Sequence, residues 1–90
     1  MELQILETQW DFRTDTLGFS VSDENGKFYN CGVTRIAIND YYDTNDSIEQ
    51  AEINFDENQD YILDLASNLI VNGQANERGH YIITSDIIGV

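Results

Sequence analysis

The chain has 90 residues, with seventeen acids against four bases and a formal charge of −13. That length holds one domain, residues 1–90, with a modest core. The charge excludes direct binding to nucleic acid or to an anionic membrane, since either needs a basic footprint. Hydrophobic residues at 41% and aromatic residues at 11% exclude a disordered chain.

"LQIL" at 3–6 reads as a short first strand, with Trp10-Asp11 outside it. "LGFSVS" at 17–22 alternates: Leu17, Phe19 and Val21 point one way, and Gly18, Ser20 and Ser22 the other. "DENGK" follows, where Asn25-Gly26 suits a tight hairpin turn. "KFYNCGV" at 27–33 returns as the partner strand, with Tyr29, Cys31 and Val33 on the buried face. Thr34 is a plausible N-cap for a short helix at 35–42. Ser47, with Gln50 three residues on, starts a long helix over 48–72, and Gly73 stands where a C-terminal cap belongs. "GQANERG" at 73–79 is a loop, and "HYIITSDII" at 80–88 reads as a last strand. The expected fold is α+β: a small, mainly antiparallel sheet of three to four strands packed against one long helix and one short helix.

Residues 40–64 hold nine acids and no base. At 100° per residue, Ile48, Ala51, Phe55, Ile62, Leu65, Ala66 and Leu69 fall on one apolar arc. Glu49, Glu52, Asp56, Glu57, Asp60 and Asp64 fall on a separate arc of about 140°, away from the core. Five like-charge pairs at three- or four-residue spacing would cost this helix roughly 1–2.5 kcal/mol. The stripe has two readings: a solvated outside, or a surface for a basic partner. Its charges fall roughly one per 4 Å along the helix, close to the single-strand spacing of about 3.4 Å.

The residues that could carry catalysis do not form a constellation. Cys31 sits mid-strand and His80 opens a strand, so each reads as a packing or capping residue. A single histidine and a single cysteine supply no paired metal-ligand motif, and the acids lack the ligand spacing of a calcium loop. Neither a phosphate-binding glycine loop nor a serine nucleophile elbow occurs. The sequence therefore reads as a non-enzyme without a cofactor. Trp10 has two readings of its own, as a cover for one edge of the core or as an exposed anchor for a partner. With the six stripe acids it makes up the candidate interaction surface.

A lone cysteine forms no internal disulfide, so the fold needs no oxidising compartment. The start "MELQILETQWDF" lacks the basic region of a signal peptide, and no segment approaches the length of a membrane span. The expected compartment is the cytoplasm.

Three stretches in order carry a family resemblance. They are Trp10-Asp11 followed by "LGFSVS", then "NGKFYNCGVT" at 25–34, then "FDENQDYILDLASNLI" at 55–70 with "IITSD" at 82–86. Together they resemble the bacterial family called domain of unknown function 1488. Its G-x-x-x-x-C-x-I/V-S/T strand is met by Gly26, Cys31, Val33 and Thr34. The resemblance implies a small α+β fold in a bacterial cytoplasm and supplies no activity or catalytic residues. Gene neighbours of some members imply a regulatory link to the shikimate pathway. Members often carry arginines in the long helix, whereas no base occurs here from Ile36 to Glu77. The functional expectation is a non-catalytic binding or regulatory module with an unknown, basic protein partner. The alternative is a nucleic-acid mimic that blocks such a partner.

Overall fold

The structure, a computed structural model, describes residues 1–90. Eight elements follow one another: β1 (Gln4–Asp11), β2 (Thr16–Ser22), β3 (Phe28–Thr34), α1 (Arg35–Tyr41), α2 (Ile48–Glu57), α3 (Gln59–Val71), β4 (Tyr81–Ile83) and α4 (Ser85–Ile88). The four strands form one sheet in the order β1-β2-β3-β4. The first three are antiparallel, and β4 joins β3 in parallel after the helices have crossed over. This is the small α+β fold that the sequence implied.

The β2–β3 register places Leu17 opposite Val33, Phe19 opposite Cys31 and Val21 opposite Tyr29. Alternation therefore gathers these six side chains on one face. Phe55, Ile62, Ala66 and Leu69, from the apolar arc of the helices, join them in a single buried cluster. Phe19 and Phe55 meet with ring centroids 5.0 Å apart. Each of the larger apolar side chains taken out of water, such as Phe55, Ile62 and Leu69, contributes about 1.5–3 kcal/mol.

The helix starts follow the expected caps. The Thr34 hydroxyl accepts from the Ala37 N–H at 3.2 Å, and the Ser47 hydroxyl from the Gln50 N–H at 3.1 Å. The reciprocal half of the Ser47 capping box does not form, and the Gln50 amide donates to Asn54 along the helix. Gly73, at φ +65°, ends α3 in a left-handed turn whose N–H reaches the Ile70 carbonyl.

Four expectations need correction. The first strand runs on to Asp11 and includes Trp10, because every residue from Glu7 to Asp11 finds a partner on β2. The β2–β3 connection is a five-residue loop, not a two-residue turn. The Asp23 carboxylate accepts from the N–H groups of Asn25 and Lys27, and only Gly26 takes positive φ, at +80°. The single long helix is two. Asn58 leaves helical geometry at φ −131°, ψ 34°, and its side-chain amide donates to the Asn54 carbonyl at the end of α2. The last strand stops at Ile83. Beyond it one helical turn, α4, buries Ile88 and returns a hydrogen bond from its N–H to the Thr84 carbonyl.

Candidate binding groove on the open face of the sheet

Alternation that buries one sheet face must turn the intervening residues to the other. The register aligns Glu7, Gln9 and Asp11 of β1 with Ser20, Gly18 and Thr16 of β2. It continues through Asn30, Gly32 and Thr34 of β3 to Ile82 of β4, opposite Gly32. Helices cover none of these positions. All of them but Gly32, which Thr16 and Ile82 cover, line a groove of about 970 Å³.

One wall is the β1–β2 turn, with Phe12, Arg13 and Thr14; the other is the α3–β4 connection, with Gln74, Asn76, Arg78 and His80. The walls approach each other where Arg78 Nη1 stands 4.0 Å from Asp11 Oδ2. Asp11 is on the edge strand farthest from β4, three strand spacings of about 4.8 Å away. The loop that carries Arg78 must therefore lean over the open face to meet it. Its own shape is fixed by Asn76, whose side-chain oxygen accepts from the N–H groups of both Arg78 and His80.

Two glycines face each other at the centre, Gly18 and Gly32. Glycine inside a strand costs roughly 0.5–1 kcal/mol relative to alanine, so each calls for a reason. At Gly32 the reason is packing. A methyl group there would stand 2.7 Å from Thr16 Cγ2 and 3.1 Å from Ile82 Cδ1. At Gly18 it would crowd the Gln9 backbone oxygen of β1 at 3.1 Å, so close strand approach accounts for this glycine, and no side chain stands within 4 Å of the place. The floor above Gly18 is bare peptide, open to the close approach of another group.

The electrostatics of the groove differ from those of the rest of the molecule. Two of the four bases, Arg13 and Arg78, and the only histidine line it, together with the acids Glu7 and Asp11. The backbone N–H of Arg13 and the Thr14 hydroxyl hold the Asp11 carboxyl below its ordinary range.

The sequence-derived candidates do not converge here. Glu49, Glu52, Asp56, Glu57, Asp60 and Asp64 are all exposed, on the outer side of α2 and α3 and across the molecule from the groove. No base lies within ion-pair distance of any of them. Trp10 is the one candidate near the groove: its backbone edges it between Gln9 and Asp11, while its register opposite Leu17 turns the indole to the core side. It is half-buried, packs against the core and meets Phe12 edge-on at 6.3 Å. Its indole N–H is buried with no acceptor, which costs about 1–3 kcal/mol. Cys31 is buried, and that burial pushes its thiol up to about 12, so it is protonated at neutral pH. His80 stands just before β4 in the groove wall. The remaining groove residues, scattered from Glu7 to Thr84, went unread in the sequence. Their only local signal was the pair of glycines inside otherwise regular strands.

The groove and the core define a fold with a known relative. A crystal structure of a protein of unknown function from the DUF1488 family of Shewanella loihica PV-4 superposes with a TM-score of 0.77. The alignment covers 92% of this chain and 94% of that one at 20% identity. The fold is therefore that of a DUF1488 protein, in agreement with the resemblance of the sequence motifs. A scan against family models finds no match, and neither does a comparison with curated proteins. The neighbour's own function is unknown, so the likeness lends nothing to the shikimate-pathway link. No helix is long and apolar enough to cross a membrane.

Proposed function

We propose that this protein is a non-catalytic binding module that holds a small ligand in the groove on the open face of its sheet. The observation that carries this reading is the bare peptide floor at Gly18, walled by polar side chains from two loops. Pockets of about 300–1,000 Å³ with a few convergent polar groups suit a drug-sized molecule. Binding rather than catalysis is favoured because the one thiol lies under the sheet, protonated. A regulatory role would act through occupancy of this groove.

Trp10 supplies the test, as the only tryptophan and a ring in edge contact with Phe12 of the groove wall. In a screen of small polar fragments, binders should shift or quench its emission, and Gly18→Ala should remove the response. If no fragment perturbs Trp10, the groove is not a binding surface.

A second reading places a basic protein partner on the outer face of α2 and α3, and an observation favours it too: six carboxylates stay exposed there without a countercharge. Such a partner should be released by salt. Replacing Asp56 and Asp60 with Asn should abolish its capture. If the double variant retains every partner of the wild type, the stripe is only a solvated outside.

A further inference from the structure

We infer that the ligand of the groove is a small organic anion carrying a planar ring, an inference that rests on the reading of the groove as the binding surface. The first observation is how the four bases are engaged. Arg35 is held by two carboxylates, with its Nε 2.8 Å from Asp15 Oδ2 and its Nη1 2.6 Å from Asp46 Oδ1. Lys27 Nζ lies 5.4 Å from the centre of the Tyr29 ring. Arg78 has one distant carboxylate contact, at 4.0 Å, and Arg13 is exposed with no carboxylate in ion-pair range. The two guanidinium groups left with free donors are thus the two that line the groove. Each offers the fork that matches a carboxylate or phosphate.

The two acids there, Glu7 and Asp11, equal the two arginines in number, so the fit to an anion rests on the open guanidinium donors and not on net charge. Asp11 is already engaged, since its Oδ1 accepts from the Arg13 N–H at 3.0 Å and its Oδ2 faces Arg78. Glu7 is exposed near the mouth. The stripe acids lie on the far side of the sheet and helix layer, and charges separated by more than about 8–10 Å are largely screened at physiological salt.

The second observation is shape. The floor at Gly18 is flat peptide without a side chain, and an added methyl group would meet nothing but backbone oxygens. A planar ring can lie on such a surface; a bulky branched group would gain no contact from it. At the rim Phe12, 78% exposed, offers an aromatic face to the same ring. Gln9, Ser20 and Asn30 around the floor can hydrogen-bond the ring's edge.

Carboxylate and phosphate share this chemistry, and a calorimetric titration of the full chain separates them. The probes are benzoate and adenosine monophosphate, with benzyl alcohol and adenosine as their uncharged counterparts. At least one anion should bind about tenfold or more tightly than its counterpart, and Arg13→Gln and Arg78→Gln should each weaken it by about tenfold. Gly18→Ala should weaken it further. Both arginines are exposed, so the melting temperatures of their variants should stay at the wild-type value. Preference for one probe would identify the acid group. Uncharged rings that bind as well as the anions would overturn the inference. So would anions that fail to bind while neutral fragments still report through Trp10, and in that case the groove reading survives without it.

Discussion

Asn39 has no solvent exposure and sits in a polar network within the core. Its amide donates to the Ser47 carbonyl at 3.0 Å, and its side-chain oxygen accepts from Asn54 at 3.1 Å. Asn54 in turn donates to the Thr44 hydroxyl at 2.8 Å. The network ties α1 to the start of α2. Asn39→Ala should cost about 2–4 kcal/mol, because it strands buried partners; urea unfolding should show a lower midpoint at an unchanged slope. Asp15 is a surface case with a pH signature. It holds φ +54° in the β1–β2 turn, a conformation that asparagine also tolerates. The Arg35 guanidinium, by hydrogen-bonding the Asp15 carboxylate, holds its pKa below the ordinary 3.8. A carboxyl depressed in the folded state stabilises above its unfolded pKa and loses that effect as pH falls through the folded one. Wild type should therefore exceed Asp15→Asn in stability at neutral pH, by no more than about 1 kcal/mol given solvent screening. The gap should close below about pH 4. A gap that stays constant from neutral to acid pH would show that the charge is not its source.

At the scale of elements, the break at Asn58 changes what the acid stripe means. In one continuous helix, Asp56 and Asp60 would be equivalent mid-helix acids with like-charge neighbours. With two helices, Asp56 lies in the last turn of α2 and Asp60 in the first turn of α3. A negative charge is unfavourable at a helix C-terminus and favourable at an N-terminus, by about 0.3–1 kcal/mol. Asp56→Asn should therefore raise the melting temperature and Asp60→Asn should lower it or leave it unchanged; a continuous helix would make both substitutions stabilising. The strands and caps were legible because their signals are local. The alternation of Leu17, Phe19 and Val21 and the hydroxyls of Thr34 and Ser47 lead directly to β2, α1 and α2. The break was not, since Asn58 is one polar residue in a polar stretch and the apolar arc runs through it unchanged. Nor was α4. "TSDII" is β-branched in composition, and its single turn exists because Ile88 finds a place in the core.

For the whole molecule, helices cover one face of a four-stranded sheet, the acids gather outside the helices, and the free guanidinium groups gather on the other face. The groove was invisible in the sequence because it is assembled from β1, β2, β3 and two loops, none with a motif. Only Gly18 and Gly32 hinted at it, and no sequence pattern says that a side chain fills the place beside one and leaves the other bare. Amide chemical-shift mapping of the uniformly 15N-labelled protein, titrated with the fragments that perturb Trp10, tests this arrangement most directly. The shifts are expected to cluster on Gln9, Arg13, Gly18, Ser20, Gly32, Arg78 and His80, leaving α2 and α3 still. Shifts centred on Glu49–Asp64, or spread without a focus, would contradict the assignment of the open sheet face as the functional surface.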